Sequence, residues 1–364
     1  MEQKEAKPWW IWLTAAVLSL ALVWTLAGTA FSLLRPTAAA CFGFSKTEPE
    51  RTVIPVGRTV GIKLFSRGVM VVGLTDVATE DGAESPARAC GLRTGDIITH
   101  IDGQQVDSIE QVQSLLQSTG GEELAIQLTR GGRMVETTAA AAQCMTDGSY
   151  RLGAWIRDSM AGIGTITYYD PESRKFAALG HGINDVDTKL LMPLESGAIM
   201  GSSVTDVQTG AKGTPGELHG KFDLERDLGT LYANTDCGVF GVTDGADDRF
   251  TGDPIPVAKA EEVKVGAATI LSNVEGDKVE SFDVEILRIY RCTGQDSRSM
   301  MVRVTDPELL EKTGGIVQGM SGSPILQNGK LVGAVTHVLI NDPQCGYGIF
   351  AETMLDAGTE GGNR

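Results

Sequence analysis

The sequence predicts a mainly β protein in three parts: a membrane-crossing helix at the N-terminus, a small α+β module, and a larger sandwich or barrel domain. Three observations point there. An uncharged apolar run lies near the start of the chain, glycine is abundant (45) while aromatics are sparse (6%), and the second half breaks into short apolar runs separated by Gly and Asp. That balance suits strands joined by tight turns better than a helical bundle. At 364 residues the chain exceeds the usual size of one domain and has material for two cores. Its formal charge of −16, with no Lys/Arg block longer than a pair, argues against a nucleic-acid partner.

The first element is the stretch Pro8 to Leu34, which carries no charge and is long enough to cross a bilayer as one helix. Residues 1–36 then form a short tail and anchor, with residues 9–34 in the lipid and Trp9, Trp10 and Trp12 in the interfacial belt. "PTAAAC", from Pro36 to Cys41, offers a small-residue cleavage site, but the apolar stretch before it is longer than a signal peptide needs. An uncleaved single-pass anchor with the large C-terminal part exported is the expectation. The charges around it (Lys4 and Lys7 against Glu2 and Glu5, with Arg35 beyond) do not fix the orientation. Cys41, Cys90, Cys144, Cys237, Cys292 and Cys345 are scattered singly, without the close pairs of metal sites or redox motifs, so no metal and no cofactor are implied. Export permits disulfides, although small buried apolar side chains explain most of these positions equally well.

A linker over 37–57 leads to the α+β module, residues 58–136. Gly61 to Leu64 and Val69 to Leu74 read as strands, Glu110 to Gln117 as an amphipathic helix, and Leu124 to Thr129 as a strand ending at the Gly131-Gly132 turn. Within it "SPARACGLRTGDIITHIDGQQV", Ser85 to Val106, resembles the PDZ signature, with Gly95-Asp96 turning the chain and Ile97, Ile98 and Ile101 entering the core. The resemblance implies binding of an extended peptide by strand addition, with its terminal carboxylate on backbone N–H groups. Ser66, Arg67, Gly68, Val69, Met70 and Val71 are the candidate carboxylate loop and edge strand. The plainer alternative makes the module a packing spacer.

The third part, residues 145–358, alternates apolar residues at Phe282, Val284, Ile286 and Ile289, as strands do. Its strongest motif is Gly319-Met320-Ser321-Gly322-Ser323-Pro324. Flanking glycines allow a tight turn that exposes a serine hydroxyl beside backbone N–H donors. The run resembles the Gly-Asp-Ser-Gly-Gly-Pro turn of chymotrypsin-like peptidases. By that match Ser321 is the nucleophile, and the N–H groups of Gly319 and Ser321 form the oxyanion hole, with Ser323 as the rival hydroxyl. A serine needs a base, and four histidines compete. His100 lies in the predicted PDZ core strand, His219 in a loop, and His337 ends the strand after the serine turn. His181, between Gly180 and Gly182 after an apolar strand, is best placed to reach into a cleft.

The segments "LGHGINDVDT", "MPLESGAIMGSSVTDVQTGAKGTPGELHG", "VTDPELL" and "GGIVQGMSGSPILQNGKLVGAVTHVLINDPQCGYGIF" resemble the stage IV sporulation protein B peptidases of endospore-forming Firmicutes. The resemblance implies a chymotrypsin-like double β-barrel and a serine endopeptidase acting in the forespore intermembrane space. It also implies two protein substrates: the enzyme itself, and a membrane-associated regulator of an intramembrane protease complex, whose cleavage leads to activation of a mother-cell sigma factor. The family match puts the triad acid on Asp306, although only 15 positions separate it from Ser321. Asp236, Asp185 and Asp187 are alternatives, and Thr-Asp-Pro-Glu at Asp306 also reads as a helix cap. After the serine, Thr336 and His337 on the strand Lys330 to Ile340 are candidates to line the specificity pocket. Two other classes remain in view. One is a non-catalytic PDZ-containing binding regulator. The other is a serine esterase, against which stands the chain order, because the histidine precedes the serine.

Overall fold

Alternation of apolar and polar residues drives most of the chain into long antiparallel strands. The computed structural model describes residues 51–243, 247–291 and 298–361. The predicted anchor over 8–34, most of the linker, Cys41 and Cys292 lie outside the described residues. No helix among those described is long and apolar enough to cross a membrane.

In chain order the main elements are β1 (Thr59–Leu74), α1 (Pro86–Ala89), β2 (Ile97–Ile101), α2 (Ile109–Thr119), β3 (Glu123–Arg130), β4 (Arg133–Ala140), β5 (Ala154–Asp170), β6 (Lys175–Ala178), β7 (Leu194–Gln208), β8 (Glu217–Thr235) and β9 (Gly238–Val242). There follow β10 (Gly266–Glu275), β11 (Lys278–Ile289), β12 (Met300–Val304), α3 (Pro307–Thr313), β13 (Pro324–Gln327), β14 (Lys330–Leu339), β15 (Asp342–Phe350) and α4 (Ala351–Gly361). The protein is mainly β, as its glycine-rich, turn-rich composition predicts.

Two rings of strands organise the second half. β10, β11, β12, β15, β14 and β13 close one barrel. Phe282, Val284 and Ile286 point into its core, and Asp283 and Glu285 between them do not, the period-2 pattern of a half-buried strand. The second ring runs β1–β5–β6–β9–β8–β7 and returns to β1, every pairing antiparallel. Val60, Ile62, Ile166, Phe176, Ile199, Leu231 and Val239 belong to its core. β1 and β5, at 16 and 17 residues, run on past this ring into the smaller module.

In that module β1 pairs with β2, β2 with β3 and β3 with β4. Helix α2 is fixed by a capping box in which Ser108 and Gln111 exchange hydrogen bonds. Val112 and Leu116 put its apolar face on Val69, Ile98 and Leu124. The core also takes in Leu152, with Tyr150, Ala154 and Ile156 packed against it, so its packing extends beyond residue 136.

This pairing corrects the predicted peptide edge. Val69 and Met70 bond to β2 on one side, while β5 covers the other, with Met70 opposite Arg157 and Val71 opposite Ile156. Ser66 is buried opposite Leu194, Arg67 is ion-paired with Glu195, and the Gly68 N–H donates to the Asp107 carboxylate at 2.8 Å. The six residues Ser66–Val71 therefore present no free edge. Among the described residues β4 ends the sheet, and the outer side of β5 near its start, facing α2, is also unpaired. Between α2 and the start of β5 lies a groove of ≈ 890 Å³ lined by Ile109, Val112 and Leu116 on one wall and Leu152, Ala154 and Ile156 on the other.

Candidate active site

Ser321 and His181 enter from different rings. Ser321 precedes β13 of the closed barrel, and His181 follows β6 of the other ring. What joins them is Thr165 of β5. Its N–H donates to the Ser321 carbonyl at 2.9 Å, and its carbonyl accepts from the Leu179 N–H at 3.2 Å, two residues before His181. Its buried hydroxyl donates to the Gly319 carbonyl at 2.7 Å. The approach is so close that a Cβ on Gly322 would lie 2.0 Å from the Thr165 oxygen, and Gly322 has φ +98°, so only glycine fits there. Gly180 in turn lies against Thr336 of β14, where an added Cβ would stand 2.9 Å from Thr336 Cγ2.

The Ser321 hydroxyl donates to the Thr336 carbonyl at 2.8 Å. The next residue, His337, places its ring 5.0 Å from that of His181, centroid to centroid. Ser321, the segment Thr336–His337 and the His181 ring thus line one junction. Ser321 and His181 share no hydrogen bond in this state, since the hydroxyl is turned to Thr336. Among the described residues neither the Gly319 nor the Ser321 N–H is given to an acceptor, which leaves both open to a developing oxyanion. Ser323 is buried, with its hydroxyl 3.3 Å from that of Ser272, inside the barrel wall and away from any cleft.

The His181 Nδ1 lies 2.8 Å from the Gly182 carbonyl, which accepts from it when Nδ1 carries the proton and leaves Nε2 as the acceptor. Loss of hydration pulls its pKa below the usual histidine value, and the Gly182 carbonyl offsets this in part. A base that stays neutral around pH 7 is what proton abstraction from a serine requires.

The Asp306 carboxylate is engaged by backbone N–H groups, and no bond joins it to His181. Its Oδ1 accepts from the Glu308 and Leu309 N–H groups at 2.9 and 3.1 Å, and its Oδ2 from the Asp283 N–H at 3.2 Å. It is the N-cap of α3, with Pro307 in the first turn, the capping pattern that the sequence also permits. Asp185 is buried and paired with Arg157, and Asp187 pairs with the same arginine at 2.9 Å. Asp236 stands exposed on the turn from β8 to β9, whose Thr235 carbonyl approaches Gly182. Among the described residues no carboxylate is bonded to His181; the Gly182 carbonyl holds its Nδ1. Sequence reasoning missed Thr165, since a threonine in an apolar strand carries no signal of its contact 156 residues away.

No group of three or more His, Cys, Asp or Glu side chains among the described residues is arranged to hold a metal ion. Cys90, Cys144 and Cys345 are free thiols.

Comparison with known proteins adds to this geometry. The family model described as SpoIVB peptidase S55 matches residues 148–355, more than half of the chain, and a PDZ domain model matches residues 79–130. Among curated proteins, the zinc metalloprotease RasP of Shouchella clausii is 36% identical over 72 residues, 20% of this chain and 17% of RasP. The chain thus spans under a fifth of that relative. Among solved structures, the active form of the Rv3671c protease from M. tuberculosis is 15% identical, covers 55% of this chain and 73% of its own, and has a TM-score of 0.30. The PDZ domain of the SdrC-like protein from Listeria monocytogenes is 23% identical, covers 25% and 87%, and has a TM-score of 0.21. With Gly319-Met320-Ser321-Gly322 at the junction of two strand rings and a family model matched over most of that region, the chain belongs to the SpoIVB peptidase S55 family and is a serine peptidase carrying a PDZ domain.

Proposed function

We propose that Ser321 is the nucleophile and His181 its general base in an endopeptidase with the two-ring architecture of chymotrypsin-like enzymes. The observation that carries this is Thr165, which bonds to both the Ser321 and the Leu179 backbone and so fixes the serine turn beside the base. On substrate entry the Ser321 hydroxyl leaves the Thr336 carbonyl for Nε2 of His181. Oγ attacks the scissile carbonyl carbon as its proton passes to Nε2, and the Gly319 and Ser321 N–H groups receive the oxyanion. Collapse breaks the C–N bond, His181 returns the proton to the leaving amine, and water repeats the sequence to free Ser321.

The substrates fit the family resemblance: the enzyme's own chain, and a membrane-associated regulatory protein in the forespore intermembrane space, whose cleavage leads to mother-cell sigma-factor activation. The apolar run at residues 9–34 would hold the enzyme at that membrane. The peptide groove between α2 and the start of β5 would receive the extended segment of a target by strand addition.

The test is reaction with a serine-directed phosphonate together with self-cleavage on storage. Wild-type protein should label and shorten; Ser321→Ala should do neither; His181→Ala should slow both by several orders of magnitude. A wild-type chain that stays intact and unlabelled supports the binding-regulator reading instead.

A further inference from the structure

β5 is the one strand that touches every functional part. Its first residues wall the peptide groove, and Thr165 near its far end holds the serine turn. Between them, where the pairing with β1 shifts register between Arg157 and Ser159, stand two consecutive charged residues, Arg157 and Asp158. The Asp158 carboxylate accepts from the Ile109 N–H, the first residue of α2, at 2.9 Å. The Arg157 guanidinium reaches the loop that follows His181, pairing with Asp185 and, at 2.9 Å, with Asp187.

That loop is organised around Asp185. Its Oδ1 accepts from the Asp187 N–H at 3.0 Å and the Thr188 N–H at 2.7 Å, while its backbone bonds to Lys189 and Leu190. Burial pushes the Asp185 carboxyl up, but the Thr188 bonds and the Arg157 charge outweigh it and hold the group below the usual carboxylate range. The segment from Ile183 to Met192 is tied to the rest of the fold by Asn234, bonded to the backbone of Ile183 and Met192, by the Thr188 hydroxyl on Met70 Sδ at 3.4 Å, by Met192 packed with Leu64 and Met70, and by Arg157, its one ion-paired cation among the described residues. Removing the guanidinium leaves a buried carboxylate without its counter-charge, and a loop in that condition moves toward water. His181 lies two residues before this segment, and its Nδ1 is held by the carbonyl of Gly182, which directly precedes it.

We infer that Arg157 is a positioning residue for the base: it fixes the His181 loop from the strand whose next residue, Asp158, holds the peptide-groove helix. The inference rests on the assignment of Ser321 and His181 above. It makes groove and base neighbours in one rigid element, so a change at either is felt at the other.

The test uses the full chain and a peptidyl diphenyl phosphonate as probe. Its maximal inactivation rate reads the chemistry and its apparent dissociation constant reads binding. Arg157→Ala should lower the maximal rate about 10- to 100-fold, the range expected when a supporting shell is lost, with the dissociation constant within about threefold. Its acid limb should move up toward the ordinary histidine value of about 6.5 as the ring gains water. The titratable ring facing His181 is His337 on β14, present in wild type and variant alike. Arg157→Lys, which keeps the charge, should recover much of the rate. Asp185→Asn should reproduce the loss, and the double variant should add nothing to it. A plain stabilising ion pair would lower the melting temperature alone, and an unchanged rate with an unchanged acid limb overturns the inference. If Arg157→Ala does not fold, Asp185→Asn carries the test, and an undiminished rate with an unmoved acid limb in that variant again overturns the inference. Labelling of Ser321→Ala would instead defeat the underlying assignment; an unlabelled Ser321→Ala beside a fully active Arg157→Ala defeats only this inference.

Discussion

In its proposed role, His181 meets the two demands on a base by different means. The Gly182 carbonyl selects the tautomer, and enclosure lowers the pKa. Because the folded value lies below the unfolded value of about 6.5, the folded state binds fewer protons than the unfolded one between the two. Stability from this group is therefore complete above pH 6.5 or so and is lost as pH falls through that window. The acid limb of the phosphonate inactivation rate should lie below about pH 6.5; a limb above it would show that the ring is not enclosed. Asp306 illustrates the opposite case. The Asp306→Ala variant should lose about 1 kcal/mol of stability through its cap while keeping turnover within a few fold, as thermal melts and inactivation rates would show. A drop in turnover of a thousandfold without loss of stability would return Asp306 to the triad. Nothing in Thr-Asp-Pro-Glu separates a cap from an acid, because an aspartate before proline suits both. The Gly-Met-Ser-Gly-Ser-Pro turn was legible, since its backbone demands are local.

At the scale of elements, the predicted peptide edge failed for a reason rooted in pairing. A strand such as Val69–Leu74 is apolar whether it forms an edge or lies inside a sheet, and its neighbours are chosen by residues about 80 positions later, at Ala154–Arg157. The start of β5 offers an unpaired edge instead, opposite the apolar face of α2. Leu116→Glu, which places a charge in that groove, should weaken capture of protein targets at least tenfold while leaving reaction with a small phosphonate unchanged. Pull-down of a bound target set against inactivation kinetics would measure both. Equal loss of the two would mean that Leu116 serves only the core it shares with Val112 and Ile98. The short helix and the Gly95-Asp96 turn were legible, because caps and turns are written in neighbouring residues.

Across the whole molecule, the two strand rings meet at several contacts, among them Val204 with Gly276 and Thr59 with Asn273, and the seam that bears on the serine turn is where Thr165 meets Gly319, Ser321 and Gly322. The seam is tight enough that Gly322→Ala should cost about 3 kcal/mol, from strain at positive φ and a backbone clash, and should abolish phosphonate labelling; a variant with wild-type stability would contradict the packing described. The β class was legible in composition and alternation. The sharing of β1 and β5 between the rings and the PDZ module was not, since long-range pairing leaves no local mark.

The account depends most on the serine and the histidine meeting at this seam, and a crystal structure of the chain after phosphonate treatment tests that directly. It should show phosphorus bonded to Ser321 Oγ, a phosphonyl oxygen within hydrogen-bond reach of the Gly319 and Ser321 N–H groups, and His181 Nε2 within roughly 3 Å of the bound oxygen. Phosphorus on Ser323, or an adduct on Ser321 with the imidazole turned away and another group in its place, would contradict it.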